Sequence, residues 1–197
     1  HNKSKKQLSY KNAYIKIYDI PVFYFPKFFH PDPSVERQSG FLKPEINNSN
    51  VLGSSIAVPY FKEISNNKDF TFTPTIFDKN MVMVENEFRK TEGNYDLLID
   101  YGFVNNYEST SKKKKKNLSH LFINLNKNLN IGTFNESKLI FSLEKVTDDT
   151  YLKVFDSHIT NSTARPDDQN KLNNHIKIVL NNNNFNLNAG VETYEDL

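Results

Sequence analysis

The 197 residues carry a net charge of only +2, too mild for a surface built to bind nucleic acid. The absence of cysteine excludes disulfides, thiolate metal sites and cysteine catalysis within the chain. Mean hydropathy is low at -0.64, yet 16 Phe and 10 Tyr are more aromatics than a disordered polar chain carries, and no run approaches the ~18 apolar residues of a transmembrane helix.

The chain begins at His1 rather than Met and is read as an excerpt of a longer protein, so the lack of a leader carries no information about compartment. Residues 1–13 are polar and basic, the end of a preceding strand or a loop. Alternation sets in at Tyr14, and Val22–Phe25 forms an apolar run of the kind that is buried on both sides in a β-sandwich. His30-Pro31-Asp32-Pro33 ends it, because closely spaced prolines cannot donate to a ladder and push their neighbours extended. Residues 35–40 (VERQSG) read as a linker, and a domain boundary is expected there.

Beyond Gly40 the chain is a series of two-residue alternations separated by turn residues. Strands are expected over Phe41–Ile46, Ser54–Phe61, Asp69–Phe77, Met81–Lys90, Tyr95–Val104, His120–Asn128, Lys138–Lys145 and Tyr151–Phe155. A closing hairpin pairs His175–Asn181 with Phe185–Thr193. Between them Asn105–Leu118 is a long polar connection that contains Lys112–Lys116. No segment has a helical period. Segments of this length, with turns short at one end and longer at the other, suit a transmembrane β-barrel; a soluble β-sandwich alternates similarly. Pro44 and Pro59 fall inside the first two strand-like runs, where each removes a ladder donor and weakens the pair.

Enzymatic readings find no support. There is no Gly-rich phosphate loop, no HExxH and no nucleophile elbow, and no cofactor is implied. His30 and Asp32, flanked by prolines and without a third ligand, read as turn chemistry rather than a metal site. The pairs Asp148-Asp149 and Asp167-Asp168 lie in loops without companion ligands and read as turns, with a divalent cation held between carboxylates as the alternative.

Several segments together resemble the LPS-assembly outer-membrane protein (LptD) family: Ile20–Pro26, His30–Pro33, RQSGFL with Pro44 (Arg37–Leu42), and Leu52–Tyr60. Asp69–Phe77 (DFTFTPTIF), Glu85–Arg89 (ENEFR) and Asp148–Leu152 (DDTYL) extend the likeness over nearly the whole chain. The resemblance implies an all-β chain located at the cell outer membrane with an N-terminal periplasmic part. Residues 1–36 would be the end of a periplasmic β-jellyroll, and residues 37–197 the first antiparallel strands of a large, incomplete outer-membrane β-barrel. It implies lipopolysaccharide as cargo, an LptE-like lipoprotein plug and a periplasmic LptA-like bridge protein as partners, and no nucleic acid.

By the same resemblance Pro44 and Pro59 match the family's lateral gate, through which lipid leaves between the first and last strands; as isolated strand prolines they also suit a bulge or a strand end. The aromatic cluster before the linker supplies candidates for the lipid path, Phe25, Phe28 and Phe29; as single residues they also suit an ordinary sandwich core. Lys112, Lys113, Lys114, Lys115 and Lys116 are candidates for contact with lipopolysaccharide phosphates, or a solvated loop. Two other classes stay open. A passive outer-membrane pore or transporter barrel predicts a first strand without paired prolines, and a soluble β-sandwich binding module predicts apolar faces meeting in a core.

Overall fold

The computed structural model describes residues 7–17, 20–31, 37–109 and 115–197. Strands β1 (Gln7–Ile17) and β2 (Ile20–Pro31) form an antiparallel two-stranded sheet of their own. The polar N-terminal stretch therefore enters a strand at Gln7, and β2 continues through Pro31, further than the His-Pro-Asp-Pro sequence led one to expect. Tyr14 and Tyr24 meet across the pair with ring centroids 4.9 Å apart.

All remaining strands belong to one antiparallel sheet. It begins with short pieces: β3 (Gly40–Phe41), β4 (Glu45–Ser49), β5 (Gly53–Ala57) and β6 (Tyr60–Ser65). β4 pairs with β5, β3 with β6, and both β5 and β6 lie along β7 (Lys68–Phe77). Then come β8 (Val82–Glu92), β9 (Tyr95–Glu108), β10 (Lys115–Asn128), β11 (Glu136–Val146), β12 (Lys171–Asn182) and β13 (Phe185–Asp196), each paired with the one before. Among the described residues the sheet is open, with β4 at one edge and β13 at the other. The polar stretch Asn105–Leu118 is largely strand rather than loop: β9 runs on to Glu108 and β10 starts at Lys115, with a bulge near Asn106, whose φ of 62° suits asparagine.

Alternation across the register gives the two faces opposite chemistry. One face carries Ile76, Tyr101, Ile176 and Val191, which are 52%, 41%, 46% and 65% exposed. The other carries buried Asp69, Glu85, Glu87, Asp100, His120 and Ser142, together with buried Phe77, Met83, Val104 and Phe122 towards one end. A soluble sandwich turns its apolar face towards a second layer. Here the apolar face is uncovered among the described residues, and the polar face is the one buried.

What buries it is the connection between β11 and β12. Residues 147–170 fold back across the polar face, opening with a one-turn helix, α1 (Tyr151–Val154). The strand expected over Tyr151–Phe155 is thus a helix, and the reason is local. Asp148 accepts the Thr150 N–H on its side chain (3.1 Å) and the Tyr151 N–H on its carbonyl (2.9 Å), closing a turn. The turn brings Tyr151, Leu152 and Phe155 to one side, where all three are buried and the Tyr151 and Phe155 rings stack at 5.1 Å. Five residues are too few for periodicity to separate helix from strand.

These rings join Leu52, Phe77, Met83, Val104, Leu118 and Phe122 of the sheet in the main apolar cluster, each fully buried side chain contributing about 1.5–3 kcal/mol. Hydrogen bonds spread the attachment: His158 Nε2 meets Ser55 Oγ (2.9 Å), Thr160 Oγ1 donates to Glu85 (3.1 Å), Ser162 Oγ to Asp100 (3.2 Å), and Asn124 Nδ2 to the Thr163 carbonyl (2.7 Å). A single loop thereby ties β5, β8, β9 and β10 together.

Gly102 makes room for this arrangement. It lies between Glu85 and His120 in the register, and a Cβ there would sit 2.4 Å from the His120 ring. That ring cannot move aside, being stacked on Phe122 at 4.3 Å and bonded to Tyr151. Gly102→Ala is expected to destabilise the protein by about 1–3 kcal/mol, read as a lower midpoint in detergent-solubilised thermal unfolding, whereas Gly93→Ala, with open space around it, should shift the midpoint far less.

Candidate functional site at the interrupted first strands

Pro44 and Pro59 do not sit within continuous strands. Each occupies a break, Pro44 between β3 and β4 and Pro59 between β5 and β6. The breaks face one another. Leu42 N–H reaches the Pro59 carbonyl (2.9 Å), and continuing the β4–β5 register sets Pro44 opposite Val58. Val58 in turn donates to the carbonyl of Pro74 in β7 (3.1 Å). Three prolines therefore stand at one height across the first three strand positions, each without an N–H to give its neighbour. A net contribution of about 0.5–1.5 kcal/mol is lost with each ladder bond that cannot form. By contrast, β7 to β11 pair over long stretches, shifted in register only at the β9–β10 bulge.

On the polar face the break opens on a cavity of about 580 Å³. Leu42, Pro59, Thr71 and Thr73 line it from the sheet, His158 and Arg165 from the inward segment. Burial holds the His158 imidazole below its ordinary pKa, with Glu45 pulling the other way. Its Nε2 is bonded to Ser55 Oγ, its Nδ1 to Ser157 Oγ (3.1 Å), and its ring lies 5.0 Å from Phe77.

Below the break the chain is clamped. Asp69 is 4% exposed and receives Arg37 on one oxygen and Arg89 Nε on the other (2.8 Å). Arg37 also donates to the Asn66 carbonyl (2.6 Å), and Arg89 lies 3.4 Å from Glu87. The start of the first strand is thus fastened to β7 and β8. Sequence reasoning assigned no role to these three residues, although they lie in RQSGFL, DFTFTPTIF and ENEFR; spacings of 32 and 20 positions offer no local signal that they meet.

Other expected residues are dispersed. Phe25, Phe28 and Phe29 lie on β2, opposite Ala13, Tyr10 and Ser9, in the separate small sheet; the surroundings of their side chains fall outside the described residues. Lys112, Lys113 and Lys114 also fall outside them. Lys115 and Lys116 open β10, opposite Glu108 and Tyr107. Lys116 is paired with Asp148 and lies 5.9 Å above the Tyr107 ring. Burial would raise the Asp148 carboxyl, but the bonds from Lys116 and Thr150 override it and hold it below the usual range. His30 pairs with Leu8 in β2, and Asp32 is outside the described residues. Asp168 closes a turn by accepting the Asn170 N–H (2.8 Å), as its loop position suggested.

Two outcomes are expected. Asp69→Ala leaves Arg37 and Arg89 without their shared acceptor and should lower unfolding stability by about 1.5–3 kcal/mol, with hydrogen exchange rising first in residues 37–41; exchange there equal to that of the unaltered protein would refute the clamp. His158 is held neutral in the folded state, so its contribution is complete above the unfolded histidine pKa of about 6.5 and declines as pH falls below it. Protection factors in residues 155–165, corrected for the intrinsic pH dependence of exchange, should therefore fall on acidification, and His158→Gln should flatten that dependence.

No family model matches the chain. Among curated proteins it is 31% identical over 135 residues to the LPS-assembly protein LptD of Nitrosomonas europaea, 68% of this chain and 18% of that protein. It is 28% identical over 164 residues to the LPS-assembly protein LptD of Legionella pneumophila, 79% and 19% of the two chains, and 40% identical over 83 residues to that of a Polaromonas species, 42% and 10%. The chain spans about a tenth to a fifth of the length of these relatives. With this likeness spread over most of its sequence, the chain belongs to the LPS-assembly protein LptD family.

Proposed function

We propose that this chain contributes the first strands of an outer-membrane β-barrel that assembles lipopolysaccharide into the outer leaflet, releasing it sideways through the proline-interrupted strands. The observation that carries the barrel reading is the inverted polarity of the sheet. The outward face is apolar and exposed, and the charged side chains Asp69, Glu85, Glu87 and Asp100 all lie on the face covered by residues 147–170, beside the apolar cluster of Phe77, Met83, Val104 and Phe122; an apolar outer face of this kind is what a wall against lipid requires. Backbone groups in hydrocarbon must be paired, and edge strands with missing donors part at lower cost than continuous ones. Pro44, Pro59 and Pro74 at one height supply such a place, and the cavity behind them offers hydroxyl and amide groups from Asn47, Thr71 and Thr73.

In this reading residues 1–36 end a periplasmic jellyroll, with Phe25, Phe28 and Phe29 along the acyl-chain path, and residues 37–197 begin the barrel. The longest connection, β11–β12, lies at the same end as β9–β10, which suits the cell exterior. That would bring Lys112–Lys116 near the phosphates of lipid A. An LptE-like plug and an LptA-like bridge complete the path. The names of the relatives support lipopolysaccharide assembly as the activity. No described helix is long and apolar enough to cross a membrane, which says nothing of strands that cross one.

The test is replacement of Pro44 and Pro59 together by alanine in the full-length protein. Surface delivery of newly made lipopolysaccharide, followed by pulse labelling, should fall several-fold while the amount of folded protein in the outer membrane is unchanged. Delivery at the unaltered rate would refute release at this break.

A further inference from the structure

We propose that Glu85, Asp100 and His120 form a divalent metal site of mixed oxygen and nitrogen ligands, selective for a zinc-like ion, beneath the inward segment. Each residue comes from a different strand, β8, β9 and β10, and the three are 2%, 0% and 1% exposed. One ligand atom from each lies within 4.8 Å of the others. Asp100 Oδ1 and His120 Nε2 are 3.3 Å apart, about the spacing of two ligands on a tetrahedral ion with bonds of about 2.0–2.1 Å.

The surroundings are arranged as they are around metal ligands. Every candidate ligand is held from behind by a hydroxyl of the inward segment: His120 Nδ1 by Tyr151 Oη (2.9 Å), Asp100 Oδ2 by Ser162 Oγ (3.2 Å), and Glu85 by the Thr160 N–H (3.2 Å) and Oγ1 (3.1 Å). That is how metal ligands are oriented, with the imidazole bonded at its distal nitrogen and each carboxylate anchored in turn. In the tautomer where Nδ1–H donates to Tyr151, the lone pair of Nε2 faces the carboxylate oxygen of Asp100, and a cation between them resolves the opposition. Two carboxylates buried this completely cannot both stay charged unaided, and a cation between them would compensate both. Arg165, whose field reaches Glu85, is committed to Asp156, and among the described residues the ion pair found within the cluster is His120 with Asp100. Gly102 supplies the floor, since any side chain there would displace the imidazole. An imidazole with two carboxylates suits zinc and its neighbours better than magnesium or calcium, which prefer oxygen alone.

A bound ion would tie β8, β9 and β10 under the segment and stiffen its docking. The experiment uses tag-free, full-length protein in detergent, stripped with chelator and titrated with Zn²⁺ by calorimetry, with Mg²⁺ as control. One Zn²⁺ per chain at micromolar or tighter affinity is expected, with a rise in melting temperature that Mg²⁺ does not reproduce. His120→Gln and Asp100→Asn should abolish this binding. Tyr151→Phe keeps all three ligands and should weaken binding about 10–100-fold, which keeps the test decisive where a ligand variant fails to fold. Absence of stoichiometric Zn²⁺ binding by the folded protein, as for a cluster that carries only protons, overturns the proposal, as does binding that Tyr151→Phe and either ligand variant leave unchanged.

Discussion

A sheet that turns its apolar residues outward must find partners for the polar residues it buries, and this constraint organises the molecule. Glu85, Asp100 and His120 are nearly inaccessible, yet they come from strands with no second sheet against them. The inward segment answers with Thr160, Ser162 and Tyr151, one residue for each. Burying such groups without partners would cost about 1–3 kcal/mol apiece or more, so the loop and the strands depend on each other. The apolar cluster around Tyr151 and Phe155 adds the non-directional share of the attachment.

Against that firm region the first strands are deliberately discontinuous. β3 to β6 are pieces of two to six residues, while β9 and β10 run for 14 each. The difference follows from prolines that cannot donate, placed where neighbouring strands would need them to. The Arg37–Asp69–Arg89 clamp limits the weakness to the stretch above it, so the first strand is fastened at its start and loosened further along. A seam that parts locally while its base stays anchored is consistent with release of a lipid, and it differs from an edge that simply frays.

Much of this was legible in the residues themselves. The strands at Asp69–Phe77, Met81–Lys90, Lys138–Lys145 and the last hairpin are evident because period-two alternation and short polar turns are local features. Asn105–Leu118 misled because Asn105–Glu108 and Lys115–Leu118 continue the two strands with largely polar residues, and ladder pairing by itself needs no apolar face. Tyr151–Phe155 misled because alternation over five residues fits either period. The prolines pointed to a weak pair, but their alignment with Pro74 depends on register, which proline content does not reveal.

By itself the sequence determined an all-β chain, a change of character near Gly40, and a weakened pair of strands carrying Pro44 and Pro59. Alternation, turns and missing donors are properties of neighbouring residues, and neighbours are what a sequence lists. Only the tertiary structure decided which face is buried, that residues 147–170 are what buries it, and that Arg37 meets Asp69 while His120 meets Asp100 and Tyr151. Those partners lie 20 to 32 positions apart, and what brings them together is strand register and a loop folded inward, each set by the packing of the whole sheet.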